Sequence, residues 1–273
     1  MRGPGAAGER AGREDELISR ESSWNANAES ERLRRQFGIL FPDPMLKVRG
    51  DGPPSPAGDV AHAVAEAEPG MVISRGRRVH LRTFTPTDLE HLARWAENPD
   101  LDRMVGSELL QLYKDVYEQD SSFFEAVLTD TTQIVLVVMA NEGWPVPIGF
   151  VRLFNIHQSE GYAGIETVIG DARAARRGFG VQASRLMGYY GVDTLGLRRL
   201  EAKAYEYNAL SINTLRRNGF THEGTLRKAT LRDGRYWDIM IFGILKDEIE
   251  EQRRRDRYQL PLGGVEGAVI ESP

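Results

Sequence analysis

Residues 164–220 have the sequence GIETVIGDARAARRGFGVQASRLMGYYGVDTLGLRRLEAKAYEYNALSINTLRRNGF, and the order of elements in this segment is the strongest indication of the fold. It opens with a short apolar run and a turn rich in arginine and glycine, followed by an amphipathic helix and a second apolar strand. Asn208 then opens another helix, which stops at Asn218 and Gly219. Strand, glycine turn, helix, strand and helix form an arrangement that can hold a phosphate-bearing ligand at a helix N-terminus.

The composition excludes several classes of site. The chain has 273 residues, a net charge of −5 and no cysteine, so disulfides, thiolate metal sites and a cysteine nucleophile are excluded. The five histidines lack metal-ligand spacing, and we expect no metal. The negative charge argues against a nucleic-acid or membrane partner.

The longest apolar run, Ile134 to Ala140, is far shorter than the roughly 20 residues of a membrane helix. The N-terminus mixes arginine with glutamate and lacks the apolar segment of a signal peptide. We therefore expect a cytoplasmic protein.

Three regions are expected along the chain: a flexible extension and linker over 1–70, a domain over 71–250, and a tail over 251–273. The extension is rich in glycine and proline, most clearly in GDGPPSPAG at 50–58. Phe37 to Phe41 is apolar enough to dock on the domain or a partner, and the alternative is a mostly disordered arm with one adhesive apolar segment.

The domain should begin with a period-two strand at Arg78–Phe84 and a helix that Thr85 caps and that ends at Asn98–Pro99. A further helical region is expected over 109–128. The remaining strands are expected at 133–140, 148–156, 162–169, 199–205, 225–231 and 235–245, the last two joined by the Asp233–Gly234 turn. The pattern predicts an α+β fold with a mostly antiparallel, twisted sheet of about six or seven strands and about four flanking helices.

The glycine turn is the expected anion site. Gly178 and Gly180 let a ligand approach the backbone closely, and the helix that follows, over 179–194, directs its first amides at the turn. Arg176 and Arg177 add positive charge that suits a phosphate. A glycine turn between a strand and a helix is also common in proteins without such a site, so the turn alone leaves both interpretations open.

Four blocks of sequence together resemble the GNAT superfamily of acetyl-CoA-dependent N-acetyltransferases. They are VHLRTFTPTDL at 79–89, ETVIGD and RRGFG at 166–171 and 176–180, NALSIN and RRNGF at 208–213 and 216–220, and EGTLR and DGRYWD at 223–227 and 233–238. The chain looks most like the branch with ribosomal-protein N-terminal-alanine acetyltransferases and related small-molecule acetyltransferases.

The resemblance implies a sheet that splays between its fourth and fifth expected strands, 162–169 and 199–205, with the pantetheine arm of acetyl-CoA in the gap. It implies these cofactor-binding residues: Val168, Ile169, Arg176, Arg177, Gly178, Phe179, Gly180, Val181, Asn208 and Ser211. Two positions depart from the family pattern. Ala175 replaces a glutamine or arginine, and Leu215 replaces a tyrosine that protonates the leaving thiolate.

The expected catalytic residues are Glu166 and Ser211. Glu166 should project near the splay and act as a general base, directly or through water, and the alternative is a salt-bridged carboxylate. Ser211 is a candidate proton donor or a structural first-turn serine, and Asn208 either binds the pantetheine or caps its helix. The amide of Val168 or Ile169 is expected to donate to the thioester carbonyl.

The sequence therefore predicts direct acetyl transfer to a primary amine of a protein N-terminus or a small molecule, by a monomer or homodimer. The alternative is a catalytically weak acyl-CoA-binding or scaffold module with the same fold. A nucleic-acid-associated role for the basic run Arg253–Arg255 is disfavoured by the acidic balance of the chain.

Overall fold

The computed structural model describes residues 68–116 and 133–259. Nearly all of the expected N-terminal extension, the end of the helical region expected over 109–128 and most of the expected tail lie outside the described residues. The domain end expected at 250 falls within a helix that continues to Gln259.

The described residues form one eight-stranded sheet in the order β1-β2-β3-β4-β5-β6-β8-β7. The strands are β1 (Val72–Arg75), β2 (Val79–Arg82), β3 (Ile134–Ala140), β4 (Gly149–His157), β5 (Tyr162–Ile169), β6 (Arg199–Tyr205), β7 (Thr221–Arg232) and β8 (Arg235–Leu245). Six neighbouring pairs in this sheet are antiparallel, and β5 and β6 run parallel. The mixed, mostly antiparallel fold is confirmed, and the short β1 adds one strand to the expected set.

Helices cover both faces of the sheet. They are α1 (Leu89–Ala96), α2 (Pro99–Val105), α3 (Glu108–Val116), α4 (Phe179–Asp193), α5 (Ala209–Arg217) and α6 (Lys246–Gln259), with short 3-10 turns at Pro86–Asp88 and Ala172–Ala174. One core cluster joins α4, α5 and α6 to one face of the sheet. A second cluster packs α1 and α3 on the other face, against Phe150 and Val168. The sheet therefore separates an α4 face from an α1 face.

The expected splay lies between β5 and β6. The two strands pair at three positions, and the last of these places Gly164 opposite Glu201. Beyond it, β5 continues along β4 as far as Ile169, whereas β6 continues along β8 as far as Tyr205. The sheet consequently opens between the C-terminal halves of β5 and β6.

Helix α2 was not expected from the sequence. Asn98 and Pro99 were interpreted as the end of one helix, but Asn98 caps a second one by accepting hydrogen bonds from the amides of Asp100 and Leu101. Asparagine followed by proline fits the first positions of a helix as well as the position after one. The Asn98–Pro99 dipeptide is therefore compatible both with the end of α1 and with the start of α2.

The β7–β8 hairpin closes through Asp233 and Gly234, whose φ angles of 52° and 72° match the predicted tight turn. Strand β7 forms one of the two edges of the sheet, and β1 forms the other. Its register shifts between Leu226 and Thr230, where Lys228 has a φ of 51° and donates its amide to Asp238 Oδ1 at 2.8 Å. The edge of the sheet is thus bulged near its middle.

The buried carboxylate of Asp88 fastens the start of α1 to β2. Both of its oxygens lie 2.7 Å from the Arg82 guanidinium, and it accepts hydrogen bonds from the amide and hydroxyl of Thr85. Burial alone would raise the pKa of Asp88, but these hydrogen bonds outweigh it and the net pKa is lowered. We expect Asp88→Asn to lower the free energy of unfolding by about 3 kcal/mol, because the Arg82 charge loses its partner.

The lowered pKa fixes the pH dependence of this contribution. A carboxylate with a depressed folded-state pKa stabilises the protein above its unfolded pKa of about 3.9, and the effect is lost as pH falls through the folded value. Urea unfolding from pH 7 to pH 3 should therefore show the gap between wild type and Asp88→Asn closing below about pH 4. Glu90→Gln, at an exposed site on the same helix, is the matched control. An equal loss of stability in both variants would contradict the prediction.

Candidate active site

The glycine turn before α4 has the geometry of an anion site. Gly178 is the N-cap of α4 with a φ of 81°, a conformation that glycine adopts without strain. The first hydrogen bond of the helix runs from Gln182 N to Gly178 O, so the amides of Phe179, Gly180 and Val181 lie ahead of the helical ladder. These amides and the helix dipole favour a negative group at the turn.

Three arginines surround this turn, and one of them was not expected. Arg176 and Arg177 are exposed, and Arg177 donates to Arg173 O within the turn. A side-chain nitrogen of Arg78 lies 3.2 Å from the position that a Cβ on Gly178 would occupy. Arg78 comes from just before β2, far away in sequence, which is why local pattern reasoning missed it.

Gln182 explains how Arg78 reaches the turn. Its Oε1 atom accepts hydrogen bonds from the amides of Arg78 and Val79, at 2.7 and 3.0 Å. The first turn of α4 is thereby tied to the start of β2. The Arg78 guanidinium also lies over the ring of Phe179, 4.9 Å from its centre.

The register of β5 decides which amide faces the splay. Gly170 N donates to Ile148 O at 2.9 Å, and Val168 lies opposite Phe150. Because hydrogen-bonded rungs alternate along an antiparallel pair, the Val168 amide faces β4 and the Ile169 amide faces the open side. Of the two amides expected to donate to a thioester carbonyl, the register favours that of Ile169.

The open edge of β5 also holds a polar atom in need of a partner. Thr167 Oγ1 is buried and has no hydrogen-bond partner among the described residues. The Thr167 methyl group and Ile169 Cγ1 lie 3.9 and 3.3 Å from where a Cβ on Gly180 would stand. The turn, the free amides and this unpaired hydroxyl fit the phosphates and amides of acetyl-CoA, because buried polar groups require partners.

Glu166 lies on the α1 face of β5 and is held by two donors. Arg152, opposite it on β4 and buried, donates from Nε to Glu166 Oε2 at 2.6 Å. Ser107, between α2 and α3, donates its hydroxyl to the same oxygen at 3.0 Å. Glu166 is therefore salt-bridged through its Oε2 atom, as the alternative to a general base required. Neither of these two bonds uses its other oxygen, Oε1.

Asn208 and Ser211 form a hydrogen-bonded cap at the start of α5. Asn208 Oδ1 accepts from the Ser211 amide at 3.0 Å, and Asn208 Nδ2 donates to Met104 O and to Ser211 Oγ. Asn208 is buried. The structure thus gives both residues structural contacts, and their expected contacts with pantetheine and thiolate stay predictions. Leu215, at the position of the family tyrosine, is part of the core.

Asn208→Ala should lower the free energy of unfolding by about 2 kcal/mol, because a helix cap and a buried donor to Met104 O are both lost. Asn208→Asp keeps the acceptor for the Ser211 amide and removes the donor, so it separates the two contributions. Chemical unfolding measures both, and acetyl-CoA titration of the folded variants tests for a cofactor contact. An alanine variant of unchanged stability would contradict the assigned role.

Helix α2 is fastened to the far side of the splay. The hydroxyl of Tyr207 donates a hydrogen bond to Arg103 O at 2.6 Å. The Tyr207 ring also stacks on the Tyr205 ring and contacts the Trp237 ring edge-on. The Arg103 side chain pairs with Asp233 at the hairpin turn. Tyr205, Tyr207 and Trp237 therefore form one aromatic cluster beside the splay.

The described residues contain no group of three or more acidic or histidine side chains that would hold a metal ion. Within 68–116 and 133–259, no helix combines the length and the apolar character needed to cross a membrane.

Residues 78–221, which make up more than half of the chain, match the model of the acetyltransferase (GNAT) domain family. The chain belongs to this family. The resemblance first seen in four short blocks is confirmed, and the splay and glycine turn of this GNAT domain lie within the matched residues.

Curated relatives include a mouse alpha/beta-tubulin-N-acetyltransferase 9, 31% identical over 143 residues that make up 49% of this chain and 57% of the relative. The human alpha/beta-tubulin-N-acetyltransferase 9 is 29% identical over 147 residues, which are 49% of this chain and 67% of that protein. The chain thus spans little more than half the length of the mouse relative.

Solved structures share the fold. A Vibrio cholerae spermidine N-acetyltransferase in complex with CoA and spermine aligns with a TM-score of 0.55 at 19% identity, covering 64% of this chain and 99% of that one. The ribosomal-protein alpha-N-acetyltransferase RimL in complex with coenzyme A gives a TM-score of 0.55 at 16% identity, covering 65% and 99%.

Proposed function

We propose that this GNAT domain transfers the acetyl group of acetyl-CoA directly to a primary amine. Family membership supports the reaction class. The observation that carries the proposal is the turn at Gly178, where the first amides of α4 lie ahead of the helical ladder, Arg78 is close by, and Gly180 adjoins Ile169 on the open edge of β5. When bound, acetyl-CoA would supply an activated thioester. The absence of cysteine from the chain agrees with direct transfer.

The cofactor would be held from the α4 face. The amides of Phe179, Gly180 and Val181 and the side chains of Arg78 and Arg176 would bind its phosphates. The amide of Ile169 and the hydroxyl of Thr167 would meet the polar groups of the arm that enters the splay. The acceptor then approaches from the α1 face, where Glu166 lies.

Glu166 would accept the proton that the amine loses, directly or through water, and Oε1 is the oxygen left for this role by Arg152 and Ser107. An α-amine has a pKa of about 7.7–8.0, against about 10.4 for a lysine amine. A larger fraction of an α-amine is therefore neutral near pH 7. This favours a protein N-terminus or another α-amine as acceptor over lysine-like amines.

The alternative is an acyl-CoA-binding module with weak catalysis. One observation favours it: Leu215 is a core residue, so the tyrosine that would protonate the thiolate has no replacement at that position. This alternative requires cofactor binding without turnover.

The test is acetyl transfer by the full chain, followed as release of the CoA thiol over a panel of α-amines, lysine-like amines and polyamines. We expect acetyl-CoA-dependent turnover with α-amines. Tight acetyl-CoA binding without turnover on any amine would favour the alternative, and absence of both binding and turnover would refute both functions.

A further inference from the structure

Lys203 lies across the splay from Glu166. The last rung of the β5–β6 pair joins Gly164 to Glu201, and two residues further along each strand come Glu166 and Lys203. Since side chains alternate along a strand, both residues project to the α1 face. The opening between β5 and β6 therefore has a carboxylate on one side and an ammonium on the other.

The ammonium of Lys203 has no salt-bridge partner among the side chains that the structure describes, because no carboxylate oxygen of theirs lies within 4.0 Å of it. Desolvation lowers the pKa of Lys203, and the more distant charges of Glu108 and Glu201 offset this only in part. The side chain nevertheless keeps enough exposure for a ligand to reach it.

The carboxylates nearby are, in contrast, already paired. Glu166 is bound by Arg152, and Glu201 by Arg199 at 3.0 Å. Glu108 lies 3.8 Å from the Arg152 guanidinium. A polycationic acceptor would have to share these carboxylates with arginines, whereas an anionic group would meet no competing carboxylate at Lys203.

We propose that Lys203 is a specificity-determining residue that binds a carboxylate of the acceptor, so that the preferred acceptor carries an acidic group next to its reactive amine. This inference rests on the proposed acetyl transfer. Binding the carboxylate gives the partly desolvated ammonium the charge-assisted contact that the described residues do not provide. The same carboxylate chemistry arises from an acidic side chain near a polypeptide N-terminus or from the α-carboxylate of a free amino acid.

The experiment compares acceptors that differ only in that group. Ala-Glu amide against Ala-Gln amide tests an acidic side chain, and alanine against alaninamide, compared at equal concentrations of neutral amine, tests an α-carboxylate. Spermidine represents the polycations. Each acceptor is measured twice with the full chain: by kcat/KM for CoA thiol release, and by calorimetric binding to the CoA-loaded protein.

We expect wild type to prefer the acidic member of at least one pair by roughly tenfold or more. Lys203→Met should abolish this preference, and Lys203→Glu should reverse it in favour of spermidine. Lys228→Met, on the outer hairpin strand, is the matched control and should keep the wild-type preference. Thermal melts establish that the variants are folded.

The two proposals fail in different ways. A preference of wild type for spermidine, or an acid preference that survives in Lys203→Met, overturns the role of Lys203 even when turnover is high. If wild type binds the acidic member of a pair more tightly but turns over no acceptor, the role of Lys203 in binding is supported and acetyl transfer is refuted. Equal binding of all acceptors by wild type refutes the specificity proposal.

Discussion

We expect the Gly178→Glu substitution to abolish the binding of acetyl-CoA. The substitution places a bulky anion at the N-cap of α4, where the free amides and Arg78 would meet the phosphates. Steric exclusion and charge repulsion act together, so calorimetry should show at least about a 100-fold increase in Kd, which corresponds to about 2.7 kcal/mol. Turnover should fall in parallel.

The control must separate charge from backbone strain, because Gly178 has a positive φ. Asparagine tolerates this region better than most residues and carries no charge. Gly178→Asn should therefore lose far less affinity than Gly178→Glu at a similar melting temperature. If both folded variants bind acetyl-CoA as wild type does, the cofactor does not use this turn.

Glu166→Gln should lower kcat/KM by about 10²- to 10⁴-fold, the range expected for loss of a general base. Glutamine keeps an oxygen that can accept hydrogen bonds from Arg152 and Ser107, so the geometry is largely retained. The Kd for acetyl-CoA should not change, because Glu166 faces away from the α4 side of the sheet. Steady-state kinetics and calorimetry test the two statements separately.

The Glu166→Gln variant should also be less stable, because the buried Arg152 charge loses its ionic partner. The double variant Arg152→Met, Glu166→Gln removes both charges and should recover stability without recovering turnover. Glu223→Gln, at an exposed carboxylate on β7, should retain full activity. If Glu166→Gln turns over as wild type does, Glu166 serves only to anchor Ser107 and Arg152.

Much of the fold follows from local signals that agree with one another. The turn at Asp233–Gly234, the helix start at Gly178 and the cap at Asn208 each require a particular residue type, and each lies where the sequence predicts it. The splay between 162–169 and 199–205 was implied by the family resemblance, and the structure has it between β5 and β6. Asn98 shows the limit of such reasoning, because one dipeptide both ends α1 and starts α2.

The candidate site was predictable where it is local in sequence and hidden where it is not. Gly178 and its neighbours form one continuous segment. Arg78 and Arg152 reach the site from other strands, through the Gln182 contact and the pairing of Arg152 with Glu166. Without the register, nothing in the sequence distinguishes these two arginines from surface arginines. Lys203 required the register of β5 and β6 for the same reason.

The bulge at Lys228 has a consequence for how this protein behaves in concentrated solution. A long, flat outer strand would offer a continuous row of backbone donors and acceptors to any extended chain that met it. Here the strand is not flat, because it bulges where its register with β8 shifts between Leu226 and Thr230 and the Lys228 amide binds Asp238 on β8. We therefore expect the bulge to make β7 a poor template for strand addition by a second chain.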